Sequence, residues 1–144
     1  KLHMVGKLQT NKVKFAVKLF DYIHSVDSEK MAKKIADEQL KINKRIKIFL
    51  QVNIGNEDQK SGIKKNDINK LVSYCREINL DLIGLMCIPP ANIDPEHYFR
   101  EMKQLNKNFD FKEMSMGMSS DYIKAAKNLS TYVRIGSNIF GQRF

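Results

Sequence analysis

The fold is decided by residues 113–143, which read EMSMGMSSDYIKAAKNLSTYVRIGSNIFGQR. The pattern predicts a short apolar strand that runs into Gly117, and then a helix that begins within residues 119–121 and lasts to about Leu129. A second strand is predicted to end on residues 134–137. Two strand ends therefore follow each other closely along the chain, and in a parallel sheet they lie at the same edge.

Both strand ends carry groups that bind anions. A helix N-terminus presents N–H groups without intrahelical acceptors and carries positive partial charge, which stabilises an anion. Ser119 can cap the predicted helix or donate to an anion, Gly136 lets the next loop approach closely because it has no side chain, and Ser137 adds a hydroxyl donor. We expect one phosphate-sized site here. Ordinary capping serines and a turn glycine are the alternative interpretation, and it stays open at this point.

Six strand–helix pairs follow one another along the chain. Apolar runs predict strands at residues 2–5, 22–26, 46–54, 82–88, 111–116 and 131–135, and amphipathic stretches between them predict helices. This alternation predicts a single α/β domain over residues 1–144, with parallel strands joined by right-handed helical crossovers. Since a closed barrel of this type has eight strands, the pattern leaves two possibilities: an open doubly wound sheet, or a barrel that lacks two units.

Composition argues against several classes of function. The 25 Lys and Arg residues exceed the 16 Asp and Glu residues and give a net charge of +9. The lysines are nevertheless scattered over predicted helix faces, without the basic run or aromatic-interleaved strand of a nucleic-acid-binding module. Cys75 and Cys87 are too few for a zinc site, and such low cysteine content indicates a reducing compartment. With no leader sequence and no apolar stretch of membrane-spanning length, we predict a cytoplasmic protein that binds neither nucleic acid nor membrane.

Five blocks of sequence carry a resemblance to a known family. They are HMVGKLQTNK at 3–12, IHSVDS at 23–28, LQVN at 50–53 with KSGI at 60–63, GLMCIP at 84–89, and SMGMS at 115–119 with RIGS at 134–137. In this order they resemble the pyridoxal phosphate homeostasis protein family, whose barrel is similar to the N-terminal domain of alanine racemase. Two positions depart from the family pattern, since Leu2 stands where tryptophan is usual and Lys7 where histidine is frequent.

The resemblance implies both a fold and a function. The chain would be the last six β/α units of a TIM-like (β/α)8 barrel, with the first two units lying upstream of Lys1. The cofactor would be pyridoxal 5′-phosphate, which the protein would bind, buffer or deliver without turning over a substrate. Apo-enzymes that receive the cofactor would be its macromolecular partners, and the full-length form would be a monomer. We expect the incomplete barrel to leave two unpaired strand edges.

The resemblance also implies roles for six residues, none of them catalytic. Ser119, Gly136 and Ser137 would bind the cofactor phosphate, and Arg134 would donate a hydrogen bond to the pyridine nitrogen. The Lys60-Ser61-Gly62 stretch resembles an Arg-x-Gly motif of alanine racemase that reaches the phenolic oxygen of the cofactor. Asn53, which strand alternation places at the end of the third strand, completes the predicted set. The family lysine that binds the cofactor covalently lies on the first strand, which this sequence does not contain.

Two other functions stay open on the sequence. One is an amino-acid racemase or a related pyridoxal-phosphate enzyme, which would need a second acid or base. The other is an enzyme of sugar phosphates on an ordinary barrel, which would share the anion site.

Three residues also have alternative roles. For Arg134 the alternative is a salt bridge to an acidic residue, because a buried charge needs a partner. His3 and His24 lie at strand positions, where a histidine is more often a satisfied core residue than a general base.

Overall fold

The computed structural model describes residues 1–141, which form one sheet of six parallel strands in the order of the sequence. The strands are β1 (His3–Met4), β2 (Tyr22–Val26), β3 (Lys47–Val52), β4 (Asp81–Cys87), β5 (Glu113–Met118) and β6 (Tyr132–Arg134). The helices are α1 (Val13–Leu19), α2 (Glu29–Lys41), α3 (Ile68–Glu77), α4 (Glu96–Asn108), α5 (Tyr122–Lys127) and α6 (Ser137–Phe140). The predicted alternation of six strands with helices is confirmed.

The sheet curls, and this decides between the two architectures that the sequence left open. Strand order follows the chain without the reversal that a doubly wound sheet requires. The ring of Tyr132 on β6 lies 5.5 Å from the ring of His3 on β1 and 5.9 Å from that of Tyr22 on β2, centre to centre. Side chains of the outermost strands therefore meet inside the curve, and the fold is an incomplete TIM-like α/β barrel, as the resemblance implied.

The hydrophobic core lies on both faces of the central strands. Ile48, Phe49 and Leu50 on β3 are all fully buried, because β3 has helices on its outer face and the barrel interior on the other. Outside the sheet, α2 buries Met31, Ala32, Ile35 and Ala36. The spacing of apolar residues in the sequence extends this stripe to Leu40, but that side chain is 77% exposed.

Local hydrogen bonds explain where several helices begin. Ser28 caps α2, since its Oγ accepts from the Met31 N–H at 3.3 Å. The Asp94 carboxylate accepts from the Glu96 N–H at 3.1 Å at the start of α4, as a capping carboxylate does. Before α1, residues 10–12 form a single 3-10 turn that has no side-chain cap.

Candidate functional site

The connections that follow β5 and β6 meet, as the sequence predicted. The Gly136 N–H donates to Ser119 Oγ at 3.2 Å. The Asn138 side-chain amide donates to the Ser119 carbonyl oxygen at 3.1 Å. These two bonds hold the loop after β5 against the first turn of α6, so Ser119, Gly136 and Ser137 come together at the carboxyl end of the sheet.

The loop after β5 is a turn, and the helix predicted to begin within residues 119–121 begins just after them, at Tyr122. The Met118 N–H donates to Asp121 Oδ1 at 2.6 Å, and the Asp121 N–H donates back to the Met118 carbonyl at 3.0 Å. This reciprocal pair delays α5 to Tyr122. Ser119 is therefore not a helix cap. Its oxygen accepts from Gly136, and its own hydroxyl hydrogen is left to donate to an anion.

Gly117 brings β5 close to α5, just before that turn. Its φ of 94° lies in the region that favours glycine. A Cβ at this position would lie 2.5 Å from the Ala125 Cβ, well inside van der Waals contact. The absence of a side chain therefore fixes the path on which the chain enters the Ser119 loop.

A cavity of about 940 Å³ opens beside these loops. Four of the six predicted site residues line it, namely Ser119, Arg134, Gly136 and Ser137. A Cβ added to Gly136 would meet no atom of the described residues within 4 Å. The space in front of this glycine is therefore open, and a group bound there could approach its backbone closely. The remaining lining residues are His3, Val5, Gly6, His24, Ile88, Met118, Ser120, Tyr132, Val133, Ile135, Phe140 and Gly141.

Arg134 is held by two neutral acceptors. Its Nη1 donates to Ser115 Oγ and its Nη2 donates to the Cys87 carbonyl, each at 2.8 Å. Within residues 1–141 it forms no ion pair, so the alternative of a salt bridge is wrong for the described part of the chain. Burial lowers the pKa of Arg134, although the charge of Asp121 acts in the opposite direction. A half-buried guanidinium without a bonded carboxylate favours an acceptor on a ligand.

Two histidines and a serine continue the polar network behind Arg134. His24 Nδ1 lies 2.8 Å from Ser115 Oγ, and His24 Nε2 lies 2.9 Å from His3 Nδ1. Burial, together with the charges of His3 and Arg134, lowers the pKa of His24 to about 3. Sequence reasoning missed Ser115. The available signal was its position on β5, where strand alternation points it into the barrel between Met114 and Met116.

Aromatic rings fill the barrel interior below the cavity. Tyr132 packs edge-on against Phe49 with ring centres 5.5 Å apart, and His3 stacks on Tyr22 with centres 4.1 Å apart. Interaction with the Tyr22 hydroxyl, with a further contribution from burial, raises the pKa of Tyr132 to about 12. His3 and Tyr132 of this layer also line the cavity, so the aromatic rings form part of its wall.

Asn53 and Lys60 lie outside the residues that line the cavity. The Asn53 amide donates to the Glu57 carbonyl at 2.7 Å, and its Oδ1 accepts from the Glu57 N–H at 3.1 Å. Lys60 forms an ion pair of 2.8 Å with Glu57 and donates to the Pro89 carbonyl at 3.3 Å. In the described structure both side chains hold the loop after β3. Their predicted contacts with the cofactor stay predictions.

Other kinds of site find no support in residues 1–141. There, His, Cys, Asp and Glu side chains form no group of three or more that could hold a metal ion. Cys75 and Cys87 are buried free thiols, and burial raises the pKa of each to about 12. None of the described helices combines the length and apolar character needed to cross a bilayer.

Comparison with known proteins places this geometry in a family. The alanine racemase N-terminal domain matches residues 1–143. The chain is 36% identical over 151 residues to the pyridoxal phosphate homeostasis protein of Aquifex aeolicus and 37% identical over 153 residues to that of Haemophilus influenzae. Each match covers 98% of this chain, but 66% and 64% of the two relatives. The chain therefore spans about two thirds of their length.

Solved structures show the same fold. The structure of PipY from Synechococcus elongatus with pyridoxal phosphate bound superposes with a TM-score of 0.89 and 29% identity, over 96% of this chain and 69% of that one. Alanine racemase from Clostridium difficile superposes with a TM-score of 0.71 and 16% identity, over 99% of this chain and 40% of that one. The second likeness is one of fold alone.

Proposed function

This chain belongs to the alanine racemase N-terminal domain family, and from that premise we propose that it binds pyridoxal 5′-phosphate in the cavity beside Ser119, Arg134 and Gly136. The observation that carries the proposal is the hydrogen bond from the Gly136 N–H to Ser119 Oγ at 3.2 Å. It brings two strand ends to one open pocket beside a guanidinium that has no carboxylate partner among residues 1–141. A phosphate and a ring acceptor linked in one small molecule fit that arrangement.

The phosphate would lie between the two connections. Ser119 retains a hydroxyl hydrogen to donate, Ser137 supplies a second hydroxyl, and the open face of Gly136 allows an oxygen to approach the backbone. Charge-assisted hydrogen bonds to phosphate oxygens are stronger than bonds between neutral groups. The two hydroxyls therefore supply donors for a phosphate, and Gly136 leaves room for it, without a lysine or arginine.

Arg134 would donate to the pyridine nitrogen. Pyridoxal phosphate supplies an electron-withdrawing ring whose strength depends on protonation of its nitrogen. Arg134 remains protonated and can only donate, so it would keep that nitrogen unprotonated. Such a contact holds the ring while weakening it as an electron sink.

The groups around the cavity are poorly suited to acid–base catalysis. General acids and bases work best when their pKa lies near the working pH. The pKa of His24 is lowered to about 3 and that of Tyr132 is raised to about 12. Burial also lowers the pKa of His3, and its Nδ1 is engaged by His24 Nε2. This supports binding of the cofactor without turnover, in preference to a racemase.

The wider role follows from the relatives that the chain resembles. We propose that the protein maintains the intracellular supply of pyridoxal phosphate in the cytoplasm, as a monomer that passes the cofactor to apo-enzymes. Asn53 and Lys60 remain predicted cofactor contacts, to be reached by movement of the loop after β3.

Replacing Ser119 with alanine is expected to weaken binding of pyridoxine 5′-phosphate by roughly tenfold, since a hydrogen bond to a charged group contributes about 1.5–3 kcal/mol. Pyridoxine 5′-phosphate has the ring and the phosphate but no aldehyde, so it does not react with the many lysines of this chain. Binding would be measured by isothermal titration calorimetry. Ser73→Ala, an exposed serine on α3, is the matched control.

The wild-type chain and the Ser73→Ala control should bind one equivalent of the ligand with equal affinity. A wild-type chain that fails to bind pyridoxine 5′-phosphate contradicts the proposed function. Equal affinity in the Ser119→Ala chain would leave binding intact but place the phosphate elsewhere.

A further inference from the structure

A continuous chain of hydrogen bonds runs behind Arg134 across the barrel interior. Arg134 Nη1 lies 2.8 Å from Ser115 Oγ, which lies 2.8 Å from His24 Nδ1. His24 Nε2 lies 2.9 Å from His3 Nδ1. The four residues belong to β6, β5, β2 and β1, so the network joins strands at the two ends of the curled sheet.

The chemistry of each side chain determines which groups in this network donate and which accept. A guanidinium only donates, so Ser115 Oγ accepts from Arg134. Within residues 1–141, the only acceptor in reach of the Ser115 hydroxyl hydrogen is His24 Nδ1. His24 must then carry its proton on Nε2 and donate it to His3 Nδ1. All the bonds therefore run in one direction, away from Arg134.

The groups that accept hydrogen bonds from Arg134 are held in position because they are buried. Ser115 is fully buried and His24 is 1% exposed. The His24 ring stacks on Phe49 with ring centres 4.4 Å apart. On the other side, the Cys87 carbonyl at the end of β4 takes the second guanidinium bond. Two rigid neutral acceptors on neighbouring strands thus define the plane of the guanidinium and leave its other N–H groups to the cavity.

We propose that Ser115 and His24 are positioning residues that orient Arg134 toward the ring nitrogen of a bound pyridine. The inference rests on the proposed function and deepens it, since it assigns specificity for the ring nitrogen to residues that need not touch the ligand. Neutral partners suit this role. A carboxylate in place of Ser115 would neutralise the guanidinium and compete with the ligand for its N–H groups.

The test uses two ligands that differ only in the ring nitrogen, 3-pyridylmethyl phosphate and benzyl phosphate. The wild-type chain is expected to prefer the pyridyl ester by roughly tenfold, the value of one hydrogen bond to a charged donor. Ser115→Ala and His24→Phe should reduce that preference to about threefold or less, because the guanidinium is no longer held in one orientation. Affinity for benzyl phosphate should stay within about twofold, since the phosphate site is intact.

Two further variants separate positioning from general damage. His24→Asn keeps an acceptor near the position of Nδ1 and should restore most of the preference. Ser25→Ala is the matched control, because Ser25 is a neighbouring buried serine on β2 whose hydroxyl has no hydrogen-bond partner in the part of the chain that the structure describes. It should retain the wild-type preference.

The outcomes distinguish this inference from the proposed function. If the wild-type chain binds neither ester, the proposed function fails and this inference fails with it. If Arg134→Gln loses the preference but Ser115→Ala and His24→Phe keep it, the cofactor site stands and the positioning role is wrong. Equal loss of both esters in the Ser115 and His24 variants would show a merely structural role.

A further measurement needs only the wild-type chain, so it tests the inference even if the variants fail to fold. In nitrogen-15 histidine spectra at neutral pH, His24 is expected to be neutral, with Nδ1 unprotonated and Nε2 protonated. If the ring carries a proton on Nδ1, alone or together with one on Nε2, Ser115 cannot donate to it. Either result would overturn the inference.

Discussion

Replacing Gly84 with alanine is expected to lower the free energy of unfolding by at least about 3 kcal/mol, beyond the usual cost of overpacking a core. Gly84 on β4 pairs with Glu113 on β5. A Cβ at this position would overlap the Glu113 carbonyl oxygen and lie 2.6 Å from its carbonyl carbon. Since the obstacle is backbone, the two strands must separate for alanine to fit.

The same substitution is expected to disturb the orientation of the Arg134 guanidinium. Its two acceptors, the Cys87 carbonyl and the Ser115 hydroxyl, belong to β4 and β5, so separating these strands pulls the acceptors apart. Urea unfolding followed by circular dichroism would measure the stability. Gly6→Ala is the matched control, because a Cβ there meets no atom of residues 1–141 within 4 Å. A loss below about 1 kcal/mol, well within the ordinary range for a single substitution, would contradict the packing of β4 on β5.

Lowering the pH from 6.5 toward 3 is expected to destabilise the folded chain. The pKa of His24 is lowered from 6.5 to about 3 in the fold, chiefly by burial, with His3 and Arg134 adding to it. Between these values the unfolded chain binds the extra proton and the folded chain does not. The stabilisation is therefore fully present above pH 6.5 and is lost as the pH falls, at up to about 1.4 kcal/mol per pH unit.

Urea unfolding at pH 7, 6, 5 and 4 would measure this slope. A His24→Phe chain lacks the titrating group and should lose stability less steeply over the same range. His97→Phe, which changes an exposed histidine on α4, should keep the wild-type slope. Equal slopes in the wild-type and His24→Phe chains would show that His24 is accessible to protons in the fold.

Much of the fold could be predicted because the physical signals were local. The bounds of β2 are those predicted, residues 22–26, since an apolar run ends there at the Asp27-Ser28 helix start. The meeting of Ser119 with Gly136 could also be anticipated, because successive parallel strands end at the same edge. Local sequence signals do not say whether six β/α units form a curled barrel or an open sheet. The family resemblance was needed to choose between these two architectures.

The parts that could not be predicted depend on contacts between distant segments. Ser115 and the Cys87 carbonyl hold Arg134, yet they lie 19 and 47 residues from it in sequence. Asn53 had the right strand position for a site residue, but its amide bonds the loop that follows it. The Ser-Ser-Asp sequence was predicted to start a helix, and competition from the Met118–Asp121 bonds makes it a turn instead.

The most direct test of the phosphate site is a titration of the nitrogen-15-labelled chain with pyridoxine 5′-phosphate, followed by the backbone amide signals. Saturable shifts are expected at Ser119, Gly136 and Ser137, with the amides around Asn56 and Asp67 unchanged. Those two residues line a separate depression of about 390 Å³ and serve as an internal reference. Absence of saturation, or shifts confined to that depression, would contradict binding of the phosphate where the β5 and β6 connections meet.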